Sequence, residues 1–308
     1  MSYHEIHFPS ANGRDTIQAY YYTPLDAPKG IIQVIHGFGE HCRRYAYVID
    51  KFVEAGYVVF GDDHLGHGAT GLNNGHMGDP HSGGFETFVK DERTLHEEAR
   101  KLYPDIPYFV FGHSWGSMIS RTMAALAPED ITAITLCGNV SQVPGCIALA
   151  KDEAFAKAYA EDPYGDAAEW TAKVFAGMTD RFDPAEGPNA WIANDVRIVS
   201  DHANDMYNTF AVTVEMDYDF VKMYEFIEDP AWAGKVPTDI PFYLVSGDQD
   251  PCGNYGEGVY NIANRLVESG HSVETRLWPG YRHEIHNERA IRDEVCETVI
   301  AFFDRFAG

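Results

Sequence analysis

The stretch Pro107–Ser117, PYFVFGHSWGS, constrains this chain more than any other. Tyr108–Phe111 is a short aromatic and β-branched run of the kind that forms a buried strand. It breaks at Gly112-His113-Ser114-Trp115-Gly116, after which Met118, Ile119, Met123, Ala124 and Leu126 recur at helical spacing. A strand that turns into a helix through Gly-x-Ser-x-Gly must reverse within about one residue. Ser114 is then held in a strained backbone conformation with its hydroxyl exposed, and the flanking glycines let strand and helix approach without a Cβ clash. The helix N-terminus beneath the serine favours developing negative charge. This is the geometry of a nucleophile elbow, and the competing reading is an ordinary serine in a tight turn.

The rest of the chain supplies a sheet around that turn. Glu5–Phe8 and Thr16–Tyr22 alternate like two strands joined at Asn12-Gly13. Gly30–Ile35 is a continuous apolar run for a strand buried on both faces. A helix over Arg44–Ala55 follows, then a strand at Tyr57–Phe60, glycine-rich loops to about Gly84, and a helix over Phe85–Leu102. After Ile131–Cys137 the alternation stops. It resumes at Ile240–Val245 (strand), Tyr255–Glu268 (helix), Val273–Trp278 (strand) and Glu288–Phe306 (helix). Strands and helices in this order imply right-handed βαβ units, a parallel sheet and helices on both faces. The roughly 95 residues of interruption are too many for a plain loop. We expect residues 1–138 and 237–308 to form one α/β core, and 139–236 to form a cap over the strands' carboxyl ends, where ligands bind in open α/β sheets.

Bulk properties narrow the partners. A formal charge of −24 over 308 residues argues against nucleic acid and against a bare anionic membrane. Five scattered cysteines, Cys42, Cys137, Cys146, Cys252 and Cys296, fit a reducing compartment better than a disulfide framework, and no pair has zinc-ligand spacing. MSYHEIHFPS lacks the basic and apolar regions of a signal peptide, and no apolar run approaches the ~18 residues of a membrane span. The expectation is a cytoplasmic protein with, at most, transient contact between its cap and a lipid surface. The sequence does not give an oligomeric state.

An activated serine needs a base, and the base needs an orienting carboxylate. Two late strand ends offer them: SGDQDP, with Asp248 and Asp250, and PGYRHEIH, with His283 and His286. His271 precedes its strand and faces away from the strand ends. One oxyanion donor should be the Trp115 N–H, directly after the serine, and the other should come from the glycine-rich loop after Gly30–Ile35. Asp63–Gly68, DHLGHG, looks metal-like but lacks a third and fourth ligand at useful spacing, so it reads as a structural loop under the site.

Four separated stretches resemble the monoacylglycerol lipase and lysophospholipase branch of the α/β hydrolases: HGFGEHCRRY at His36–Tyr45, DHLGHG at Asp63–Gly68, GHSWGS at Gly112–Ser117, and SGDQDP with GYRHEIHNE near the C-terminus. They occur in the family's order and span nearly the whole core, whereas the insertion matches much less well. The resemblance implies a mostly parallel eight-stranded sheet with helices on both faces and a helical cap. It also implies a catalytic triad of Ser114, Asp250 and His283, with Asp248 the rival acid, and an oxyanion hole from the N–H groups of Phe38 and Trp115. Glu40 and Arg44 match positions near the polar end of the family's pocket, although an ion pair bracing the loop accounts for them equally well. No cofactor and no metal are implied.

The activity so implied is two-step acyl transfer on a small-molecule acyl ester such as a monoacylglycerol. The insertion's aromatic and apolar residues, among them Phe155, Trp170, Phe175, Met178, Trp191 and Phe220, would line an acyl tunnel or merely fill the cap's own core. Rivals of the same fold are a lysophospholipase, a general carboxylesterase and a serine aminopeptidase. Rivals of other classes are a catalytically silent binding protein and a metallohydrolase built on His64, His67 and neighbouring carboxylates.

Overall fold

The computed structural model describes all residues, 1–308. The chain opens with two strands, β1 (Ser2–Pro9) and β2 (Thr16–Thr23), then β3 (Ile31–Ile35), helix α1 (Ala46–Glu54), β4 (Val58–Asp63), α2 (Gly68–Asn74) and α3 (Glu86–Leu102). Next come β5 (Tyr108–His113), α4 (Trp115–Leu126) and β6 (Ala133–Cys137). Five helices follow within the long insertion: α5 (Pro144–Leu149), α6 (Glu153–Glu161), α7 (Ala168–Val174), α8 (Val196–Asn204) and α9 (Val214–Glu228). The chain ends with β7 (Phe242–Gly247), α10 (Glu257–Glu268), β8 (Val273–Trp278) and α11 (Arg292–Asp304).

All eight strands join one sheet in the order β1-β2-β4-β3-β5-β6-β7-β8. The β1–β2 and β2–β4 pairs are antiparallel and the remaining pairs are parallel. Successive residues of the central strands pack on opposite faces, as a period of two requires. Tyr108 and Val110 enter one apolar cluster with α3, α4, α9 and α10; Phe109 and Phe111 enter the other, with α1 and α11. On the second face Phe303 of α11 stacks on Phe109 with ring centroids 4.8 Å apart.

Several element boundaries differ from those expected of the sequence: β1 begins at Ser2 rather than Glu5, β4 runs to Asp63 rather than Phe60, and α11 begins at Arg292 rather than Glu288. Gly68–Asn74 is helical rather than loop, because Asp63 accepts the Ala69 N–H at 2.7 Å and Gly75 terminates the turn in the left-handed region. A tight turn over Cys42–Tyr45 precedes α1, which starts at Ala46. The penultimate helix starts at Glu257, since Asn254 and Tyr255 have φ of 46° and 57°.

The insertion does not carry a core of its own. Phe155, Val174 and Met178 belong to the same apolar cluster as Met118 and Leu244 of the sheet layer, and Trp232 Nε1 donates to the Arg121 carbonyl at 3.0 Å. No helix is long and apolar enough to cross a membrane.

Asp217 on α9 is buried with its Oδ2 accepting from Thr171 Oγ1 at 2.6 Å and its Oδ1 without a partner. Burial raises its pKa to about 7. A raised carboxyl pKa gives stability that is whole below the unfolded value near ~4 and lost as pH rises through the folded one. Asp217→Asn keeps the Thr171 contact, so it should raise Tm by about 3 °C or more at pH 8 and leave it unimproved at pH 4. Calorimetry at both pH values checks this, and an equal change at both would contradict it.

Candidate active site

Strand β5 delivers the chain to Ser114, whose φ of 56° and ψ of −120° lie outside the regions open to ordinary L-residues. Such a conformation costs ~1–3 kcal/mol and persists only where the surroundings impose it. Here they do. A Cβ at Gly116 would overlap the Ile35 carbonyl oxygen, and one at Gly112 would overlap the Gly116 carbonyl. The Ser114 N–H donates to Cys137 O at 3.0 Å, pinning the turn to the end of β6.

Two of the nearby backbone donors have no protein acceptor. On the loop after β3, the Gly37 N–H donates to Glu40 Oε1 at 2.6 Å and the Gly39 N–H to His67 Nε2 at 3.1 Å. The Phe38 N–H between them is unpaired, as is the Trp115 N–H at the start of α4. These are the two groups expected to form an oxyanion hole.

The acid rivals separate cleanly. Asp250, fully buried, accepts from His283 Nδ1 at 2.9 Å and from Ser246 Oγ at 3.1 Å through Oδ2, and from the Cys252 N–H at 2.9 Å through Oδ1. Asp248 instead accepts the Gly280 N–H at 2.6 Å and does not meet His283. Burial pulls the His283 pKa down, but the Asp250 charge and its hydrogen bond to Nδ1 outweigh it and hold the imidazole well above its ordinary value. His286 lies flat on the Tyr45 ring at 5.0 Å, and His271 Nδ1 turns to the Leu266 carbonyl at 3.0 Å.

Glu40 and Arg44 form a closed network. Arg44 donates to Glu40 Oε2 at 2.7 Å and to both oxygens of Glu284 at 2.7 and 2.9 Å. Glu40 Oε1 also accepts from Tyr45 Oη at 2.6 Å and lies 3.2 Å from His113 Nδ1. Against the pull of burial, Arg44 keeps the Glu284 pKa down at about 2. Neither Glu40 nor Arg44 lines the cavity beside Ser114. Sequence reasoning missed Glu284, although it follows His283 directly. His64 and His67 turn to different partners: His64 Nδ1 lies beside Asp62 and Glu92, three ligand atoms close enough together to hold a metal ion, whereas His67 Nδ1 turns to the Leu65 carbonyl.

Two cavities meet above this floor. The wider, about 630 Å³, is lined by insertion residues together with Phe38 and Gly39 and does not reach Ser114. The smaller, about 30 Å³, does, and its walls include Val140, Val143, Val174, Phe220 and Cys252. Phe38, Phe175, Met178 and Trp191 line both. Cys252 and the three valines escape a reading of the sequence, because nothing in their spacing marks them as cavity wall. The insertion also grips the histidine loop: the Glu284 N–H donates to Ile192 O at 2.8 Å, and the Trp191 ring lies 5.1 Å from His283.

Residues 26–290 match the family described as Serine aminopeptidase, S33. The chain belongs to that family of α/β hydrolases. Its fold is shared over 100% of both chains, with a TM-score of 0.96 and 45% identity, by a highly thermostable carboxyl esterase from Bacillus coagulans solved in complex with glycerol. A lipase in its open form is 38% identical, again with a TM-score of 0.96 over 100% of both chains. A monoacylglycerol lipase of Mycolicibacterium smegmatis is 26% identical over 91% of each chain.

If this hydrolase uses the Arg44 network as a brace, Arg44→Ala strands two buried carboxylates and should cost about 3–5 kcal/mol in urea unfolding. A stability within about 1 kcal/mol of the unaltered protein, with KM raised instead, would make Arg44 a substrate contact.

Proposed function

We propose that this ester hydrolase cleaves monoacylglycerols and similar small lipid monoesters through an acyl-enzyme on Ser114. The observations that carry the reading are the buried Asp250–His283 pair, 2.9 Å apart, the strained backbone of Ser114, and the unpaired N–H groups of Phe38 and Trp115. In this mechanism His283 Nε2 takes the Ser114 proton as Oγ attacks the ester carbonyl. Nδ1–H stays on Asp250 and keeps the ring in the tautomer that can accept. The Phe38 and Trp115 N–H groups take the oxyanion, and the imidazolium returns its proton to the departing alcohol. Water repeats the sequence on the acyl-enzyme, releasing the acid and restoring Ser114.

Residues 139–236 act in this reading as a cap that shapes the substrate's path. Support comes from Phe175, Met178 and Trp191, which line both cavities with Phe38. The wide outer cavity suits a glycerol-like head, and relatives named for monoacylglycerol and for bound glycerol agree with that choice. Exposed Val196 and Met206, at 72% and 66%, support transient contact with a lipid surface. Five buried, unpaired cysteines support a reducing, cytoplasmic setting.

One observation favours a second reading. The pocket touching Ser114 is only about 30 Å³, which suits a carboxylesterase of short acyl chains. A kcat/KM series on monoacylglycerols from acetyl to palmitoyl, with lysophospholipid and aminoacyl-arylamide beside it, decides between them. We expect monoacylglycerols of medium chain to be best. A maximum at acetyl would establish the carboxylesterase, and a preference for the arylamide would overturn both readings.

Catalysis requires neutral His283, so kcat/KM should rise with pH through a midpoint above the ordinary ~6.5. Asp250→Asn removes the charge that raises that pKa. It should move the midpoint down and lower kcat by about 10³–10⁴. An unmoved midpoint would show that another group titrates.

A further inference from the structure

The DHLGHG loop sits against the Phe38 loop without a place in the mechanism above, yet its histidines have protonation states that their partners fix. His67 Nδ1 is 2.9 Å from the Leu65 carbonyl, which can only accept, so Nδ1 carries the proton and Nε2 accepts the Gly39 N–H at 3.1 Å. His36 Nε2 accepts the His64 N–H at 3.0 Å, leaving its Nδ1–H to the Gly37 carbonyl at 2.7 Å. His64 Nε2 lies 3.1 Å from His36 O, and its Nδ1 lies 3.3 and 3.0 Å from the carboxylates of Asp62 and Glu92, whose charge favours the imidazolium form of this ring. The His36 ring stacks on it at 3.7 Å.

Two neutral histidines thus hold the peptide groups on either side of Phe38: His36 takes the Gly37 carbonyl and His67 takes the Gly39 N–H. Gly39, with φ of 66°, adopts a left-handed turn that would otherwise be soft. The Phe38 ring stands edge-on to both His67, at 5.7 Å, and Trp115, at 5.6 Å. We propose that His67 is a positioning residue for the oxyanion hole: it fixes the Phe38–Gly39 peptide and so, with His36 on the Gly37–Phe38 peptide, holds the Phe38 N–H free to meet the developing charge. This rests on the assignment of the Phe38 N–H in the proposed acyl transfer. Burial holds the His67 pKa down at about 3, so the ring stays an acceptor throughout the neutral range.

An oxyanion donor acts in the transition state and not in the ground state, so its misplacement lowers kcat and spares KM. The test compares His67→Ala with His67→Gln, whose Oε1 can still accept the Gly39 N–H, by kcat, KM, Tm and affinity for a trifluoromethyl ketone that forms a tetrahedral oxyanion on the serine. His67→Ala should lose about 10²-fold in kcat and a similar factor in ketone affinity, with KM within about threefold. His67→Gln should recover about tenfold or more of both. Ketone affinity and kcat within about threefold of the unaltered protein in His67→Ala would overturn the inference, as would equal losses in both variants that track Tm. Labelling of Ser114 by a fluorophosphonate, run on the unaltered protein, separates the two levels: failure there sinks the acyl-transfer reading, whereas labelling with an unimpaired His67→Ala sinks only the role of His67.

Discussion

Helix α4 lies so close to strand β5 at Gly112, and to the end of strand β3 at Gly116, that neither position has room for a Cβ, and the rest of the site is arranged around that approach. The turn between β5 and α4 has no relaxed conformation, so Ser114 takes positive φ and its hydroxyl projects from the strand end. The same approach places the first N–H of α4 beside the serine, with no helical partner. Strand β6 locks the turn from one side through the Cys137 carbonyl. The Phe38 loop covers it from the other.

Around this turn the protein buries two clusters of opposite charge. Arg44 is matched by Glu40 and Glu284, and His64 by Asp62 and Glu92. Burying such groups is tolerable only when they are paired and hydrogen-bonded, and removing one partner leaves the other stranded. The arrangement ties the histidine loop at 283–286 to the loop at 36–45, so both flanks of the serine are held by one network. Insertion residues 190–194 close it from above through backbone bonds to Glu284 and the Asn194 amide donors at Gly280 and Glu288.

Most of the sheet could be read in the amino-acid sequence, because strands buried on both faces appear as continuous apolar runs and alternate in which side they pack. The elbow was equally legible, since few backbones demand glycine at both flanks of a serine. Legibility failed where a residue's role depends on partners distant in sequence. Asp248 and Asp250 are two residues apart in one loop, and only the fold shows that Asp250 faces His283 while Asp248 caps the turn at Gly280. Helix α2 was missed because Gly68 and Gly71 lower its helix propensity, while Asp63, from the preceding strand, supplies its cap. The insertion was least legible: its apolar residues fill a cluster shared with the core, and a sequence pattern cannot divide them between packing and cavity wall.

In the proposed mechanism Ser114 Oγ carries the acyl group between the two half-reactions. Rapid mixing with a monoacylglycerol, acid quench and peptide mass spectrometry would measure that directly. We predict a transient mass increase equal to the acyl group on the peptide containing Ser114, formed and lost at rates consistent with turnover. Steady turnover with no acylated peptide, or with the acyl group on a different residue, would contradict it.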